Sequence, residues 1–83
     1  MQLLYFGWVR AKIGVSGEKI DLPAVIKDVR TLIGWLHDRG GAYSEALADL
    51  SSIRVAVNQE IAELDAAIAA NDEVALFPPV TGG

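Results

Sequence analysis

The residues of this chain best suited to chemistry are its last seven, Phe77-Pro78-Pro79-Val80-Thr81-Gly82-Gly83. Neither proline has an N–H, so a strand arriving at Phe77 loses its ladder donors there. Each proline also pushes the residue before it towards extended backbone, which predicts a stiff, polyproline-like stem. Gly82 and Gly83 follow without side chains, so the expected tip is thin, flexible and closed by a free carboxylate. Fully extended, the six links from Phe77 to Gly83 reach about 20 Å. A stiff stem with a narrow tip suits a carboxylate that threads a channel and meets a reaction at the far end. A free carboxylate is a poor electrophile, and a mixed anhydride is the form in which its carbonyl becomes attackable.

The remaining residues offer less. With no cysteine, the chain has no disulfide, thiolate metal site or cysteine nucleophile, which fits a reducing, cytoplasmic setting. The one histidine, His37, falls on a helical face away from Val29 and Leu36 and reads as neither ligand nor catalyst. Asp72-Glu73 reads as a solvated turn, and Trp8 and Trp35 as core-edge residues. No Ser/His/Asp set, phosphate loop or metal-ligand spacing is present, so no metal is expected and the chain alone is not expected to be an enzyme. A formal net charge of -4 repels phosphate backbones, which argues against nucleic acid and for a protein partner with a basic docking surface. The start, MQLLYFGWVR, has no charged region before its short apolar run, and no stretch approaches the ~20 apolar residues of a membrane span.

The tail needs a body to hold it. At 83 residues, 52% of them apolar, the chain is long enough for one core, with a domain over 1–77 and a tail over 78–83. The run Leu3 to Phe6, continuing to Trp8-Val9, predicts a central strand buried on both faces. Arg10 to Gly14 reads as a loop or one helical turn, closed by Gly14. Ser16 to Leu22, with Ile20 and Leu22 alternating with Lys19 and Asp21, predicts a half-buried strand in a hairpin with the first, stopped by Pro23. Asp28 is a helix N-cap, and Val29, Leu32, Ile33 and Leu36 form the apolar stripe that follows it. Gly40-Gly41 supplies the left-handed stop, and Gly34 inside the helix suggests close approach to a sheet. Tyr43 to Asp49 predicts a second short helix.

Ile53, Val55 and Val57 predict a strand with one buried face, Asn58-Gln59 a tight turn, and Glu60 to Glu63 a brief return strand. Leu64 to Ala70 reads as an irregular turn with Ile68 inward, and Glu73 to Phe77 as the last strand. The order β-β-α-(α)-β-β-β, with the first and last strands pairing at the centre, predicts an α+β roll. This is the β-grasp, or ubiquitin-like, class: a mixed five-stranded sheet packed on one main helix, with an extended C-terminal tail.

The stretch from Asn71 to Gly83 resembles the C-terminus of the small, sulfur-carrying subunit of molybdopterin synthase. That family ends in an acidic turn, an apolar strand and then Pro-Pro-Val-Ser/Thr/Ala-Gly-Gly. Val55-Ala56-Val57-Asn58-Gln59 is similar to its third strand and turn, and Leu4 to Phe6 with Val9-Arg10 and Gly14 to its opening. Asn71 stands where the family has glycine, and because asparagine tolerates a left-handed backbone the turn is expected to survive.

The resemblance implies that an ATP-dependent, E1-like adenylyltransferase activates the Gly83 carboxylate, and that a sulfurtransferase or desulfurase supplies sulfur to give a thiocarboxylate. No cofactor is bound; the acyl-adenylate and thiocarboxylate are modifications of Gly83. The tail, Pro78, Pro79, Val80, Thr81 and Gly82, would insert into the large synthase subunit and donate sulfur to cyclic pyranopterin monophosphate for the molybdenum cofactor. The resemblance also implies docking through Phe6, Ile61 and Phe77, rimmed by acids such as Glu60 and Glu63, and a heterotetramer of two large and two small subunits. Three alternatives use the same residues: a ubiquitin-like modifier conjugated through Gly83, the sulfur carrier for the thiazole of thiamine, and a plain interaction domain. The Pro-Pro-Val stem separates the chain from the thiazole carriers, and the absence of a basic residue before the glycines separates it from many modifiers.

Overall fold

In the computed structural model, which describes residues 1–79, the chain alternates short strands with helices that all cover one side of a sheet. The first strand, β1, spans Gln2–Tyr5 and buries Leu3 and Tyr5 completely. It is followed by α1 (Gly7–Ile13), β2 (Gly17–Lys19), α2 (Val29–His37), α3 (Ala42–Ala46), a 3-10 turn (Leu50–Ser52), β3 (Arg54–Val57), β4 (Glu60–Ala62) and β5 (Glu73–Phe77). The sheet order is β2-β1-β5-β3-β4. β1 and β5 run parallel, and the β1–β2, β3–β5 and β3–β4 pairs are antiparallel. This is the β-grasp roll expected, with the apolar last strand at its centre.

The helix α2 forms for the reasons its sequence announces. The Asp28 side chain accepts from the Thr31 amide at 2.9 Å, satisfying a free donor of the first turn. Val29, Leu32, Ile33 and Leu36 are buried against Leu3, Tyr5, Val55, Val74 and Leu76 in one core cluster. Past His37 the chain tightens, Gly40 N–H donating to the His37 carbonyl at 3.1 Å, and Gly40 takes φ +78. Ile68 turns inward as expected.

Several expectations are corrected. Trp8 and Val9 belong to α1 rather than to the first strand, so residues 7–13 form two helical turns where the end of a strand and then a loop or single turn were expected. Val9 is buried, the helix joins the first two strands, and Gly14 closes it at φ +96, the stop expected there. Phe6 offers no side-chain cap, so nothing local announces the start. β1 is not buried on both faces, because the helices cover one side only and Leu4 on the other is half-exposed. The second strand is shorter than Ser16 to Leu22, although its pairing runs from the Ser16 carbonyl, which accepts from Tyr5 N, to Ile20 N, which donates to Met1 O.

Gly34 does not serve a close approach. A methyl there would meet nothing within 4 Å, and the residue faces away from the sheet. The glycine that a neighbour does demand is Gly17, where a Cβ would lie 2.5 Å from the Leu3 carbonyl oxygen. Asn71 needs no left-handed tolerance, since the positive-φ residues other than glycine among those described are Asn58 and Gln59. Asp72 organises its turn, one carboxylate oxygen accepting from Ala69 N at 2.8 Å and the other from the Asn58 side-chain amide at 3.1 Å.

Candidate functional site

Strand parity assigns two faces to the sheet. Leu3, Tyr5, Val55, Val74 and Leu76 point to the helices. The residues between them on each strand, Leu4, Ala75 and Ala56, point to the other face. Cross-strand register aligns these three with Ile61 in one row, Leu4 opposite Ala75, Ala75 opposite Ala56, and Ala56 opposite Ile61. Among the described residues no helix covers this row, and its outer member Ile61 is 74% exposed.

One step further along β5, Phe77 lies on the same face opposite Arg54. On its other side the β1–β5 pairing runs one step beyond Tyr5, Phe6 N donating to the Leu76 carbonyl at 3.0 Å. Phe6 keeps an extended backbone at φ -130, ψ 163, and its ring is 48% exposed. Phe6 and Phe77 are thus neighbours at the end of the sheet where the tail departs. Ile61 is two strands over and two residues back, about 12 Å away by ordinary strand spacings. The structure brings Phe6, Ile61 and Phe77 onto one partly exposed apolar face, so Phe6 is not the core residue that a strand buried on both faces would have made it. Glu60 and Glu63, close to Ile61 in the chain, are exposed.

Two residues join the site that sequence reasoning passed over. Arg54 is exposed and donates to the Ser51 and Ile53 carbonyls at 3.4 and 3.2 Å, with no carboxylate partner among the described residues. It places a cation beside Phe77, so the rim is mixed rather than acidic. Its polar parity in the third strand was the available signal. Gly7 begins α1 at φ +57 beneath Pro78. Its position directly after an apolar run was the only hint.

Pro78 and Pro79 are half-buried beside this corner. Val80, Thr81, Gly82 and Gly83 lie outside the described residues. His37 approaches Asp38 at 3.5 Å on the helix side, and Trp35 packs under Arg39 at 4.7 Å, both apart from the sheet face. No group of three or more His, Asp or Glu able to hold a metal occurs among the described residues, nor does a helix long and apolar enough to cross a membrane.

The arrangement can offer an apolar docking face and, at its edge, an arm supported as far as Pro79. The ThiS family model matches residues 3–83. The molybdopterin synthase sulfur carrier subunit of Haemophilus influenzae is 34% identical over 83 residues, covering 100% of this chain and 99% of its own. Its counterpart in Escherichia coli is 35% identical over 85 residues, covering 100% and 99%. Among solved structures, SAMP1 from Haloferax volcanii is similar at a TM-score of 0.74 and 30% identity, over 100% of this chain and 98% of that one.

Proposed function

The chain belongs to the ThiS family, and on that premise we propose that it is the sulfur carrier subunit of a molybdopterin synthase. The observation that carries this reading is the full-length similarity to subunits of that name, at 34–35% identity from end to end. The exposed face holding Phe6, Ile61 and Phe77 supports it, because it lies where the tail leaves the sheet.

In this reading the Gly83 carboxylate attacks the α-phosphorus of ATP in the active site of an E1-like adenylyltransferase. The bond to pyrophosphate breaks and an acyl-adenylate forms. The terminal sulfur of a persulfide on a sulfurtransferase or desulfurase then adds to the carbonyl carbon, and AMP leaves with the electrons of the broken C–O bond. A thiol cleaves the S–S bond of the resulting acyl disulfide, becoming part of a new disulfide. The product is a thiocarboxylate, whose sulfur is the nucleophile delivered to cyclic pyranopterin monophosphate. Such a group is protected by transfer inside a closed site, and Gly82 and Gly83 ask that site for backbone room alone. Pro78, Pro79, Val80 and Thr81 span the distance. With no cysteine, the chain has only its terminus for carrying sulfur.

The catalytic walls in this scheme belong to the large synthase subunit, and the chain binds no cofactor of its own. The assembly is a cytoplasmic heterotetramer, with the large subunit and the activating enzyme using the same face in turn.

Intact mass spectrometry tests the reading. After incubation with ATP, the activating enzyme and a sulfur source, the chain is expected to gain a species with one oxygen exchanged for sulfur. Deleting Gly83, or adding one residue after it, is expected to abolish that species and leave the melting temperature unchanged. Sulfur loading of the extended chain, or only high-mass conjugates through Gly83, would overturn the carrier role.

A further inference from the structure

We infer that Gly7 is a positioning residue for the C-terminal tail: its bare Cα is the seat on which Pro78 rests, and this seat sets the line along which the tail leaves the sheet. The inference rests on the sulfur-carrier reading for its consequence, though not for its geometry.

An ideal Cβ placed on Gly7 would lie 2.6 Å from Pro78 Cγ and 2.8 Å from Cδ. Real Cβ atoms do not make such contacts. The far end of a lysine or glutamate could swing clear, but a pyrrolidine ring is closed and its φ is fixed, so residue 78 must move as a unit. The other participants are held. α1 is anchored by buried Val9 and by Arg10 N donating to the Phe6 carbonyl at 3.2 Å. Phe6 is in turn bonded to Leu76, and β5 lies between β1 and β3. Pro78 is what can give.

A shift of roughly 0.5–1 Å at Pro78, over one residue of about 3.3 Å, tilts the stem by roughly 10–15°. Whatever follows Pro79 starts from that tilted line. A reacting group misplaced by about 1 Å can lose on the order of 100-fold in rate. The apolar face is untouched by the change, so docking should persist while the terminal carboxylate arrives badly placed. Position 7 also carries φ +57, a backbone that strains an L-alanine wherever its methyl points. A variant at Pro78 separates the two effects, because alanine there removes Cγ and Cδ and keeps only a Cβ already 4.0 Å from the built atom.

The experiment compares the full-length wild type, Gly7→Ala, Pro78→Ala and the double variant in ATP–pyrophosphate exchange with the activating enzyme, alongside thermal melting. Gly7→Ala is expected to lower kcat at least tenfold with KM within twofold. The double variant is expected to be no worse than Pro78→Ala alone, the non-additivity that marks a direct contact. A folded Gly7→Ala with wild-type kcat, or a double variant that loses the product of the two single losses, overturns the inference. The geometry is read independently in the wild type from a nuclear Overhauser contact between the Gly7 Hα protons and the Pro78 ring, and its absence also overturns the seat. A wild type inert to the activating enzyme removes the sulfur-carrier reading, and the Overhauser contact then decides the seat by itself.

Discussion

The Tyr43 hydroxyl donates to Glu18 Oε2 at 2.6 Å, tying α3 to the edge strand β2 across the open end of the core. Tyr5, from the neighbouring strand, donates to the same oxygen at 2.8 Å. Arg39 donates to Oε1 at 2.7 Å while its guanidinium lies over Trp35 and Tyr43. Burial disfavours the Glu18 charge, but hydrogen bonds from Tyr43, Arg39 and Tyr5 outweigh it and hold the carboxyl below its ordinary value. Burial first, and the Glu18 contact second, push the Tyr5 phenol up, so it stays a donor.

Stability near the acid limb should follow from this cluster. A carboxyl whose folded pKa is depressed contributes stability that is fully present above its unfolded value and lost as pH falls through the folded one. Glu18 acts in that sense, as do Asp28, held down by Thr31, and Asp49, held down by Ser51 and Ser52. Glu18→Gln is expected to lower neutral-pH stability by about 1–2 kcal/mol and to flatten the decline below the ordinary carboxylate range. Urea unfolding across that range measures it, and an unchanged slope would show that Glu18 is not a linked group.

Ile61→Asp separates docking from folding. The side chain is 74% exposed, so thermal stability should move by no more than about 0.5 kcal/mol. Placing a charge on that apolar face should weaken binding to the large subunit by about 1–3 kcal/mol. Calorimetry of the purified subunits checks this. Full affinity of the Ile61→Asp variant would remove this residue from the docking face.

Gln59→Gly should stabilise the β3–β4 hairpin that presents Ile61. Asn58 and Gln59 both have positive φ, +51 and +70, the two-residue arrangement that favours Asn-Gly. Glutamine in a left-handed conformation carries a cost that glycine avoids, and the gain expected is about 1 kcal/mol. Chemical denaturation reads it directly. A loss of stability would mean that the entropy of glycine in the unfolded chain dominates at this turn.

The legible parts of the molecule were those whose cause is local. Asp28 with the stripe Val29, Leu32, Ile33 and Leu36 announced α2 almost to its ends, and the alternation from Ile53 to Val57 announced β3. The start of α1 was not legible, because Phe6 caps nothing and the apolar run through Trp8 continues the pattern of a strand. What ends that strand is distant in sequence: after the last pairing bond, from Phe6 N to the Leu76 carbonyl, the chain turns at Gly7 under Pro78. The Glu18 cluster was hidden for the same reason, its donors being 13, 21 and 25 residues away.

Sequence alone dictated the composition of the tail, the absence of any cysteine to share its work, and the main helix and later strands that form the body. Hydrophobic period, cap and turn residues act over a few positions, so they can be read in one pass. Tertiary packing selected which face of the sheet the helices leave open. It made Phe6 a surface residue beside Phe77, set Arg54 next to them, and laid Pro78 across Gly7. Those outcomes depend on which segments meet across the sheet, and no stretch of sequence contains both sides of such a contact.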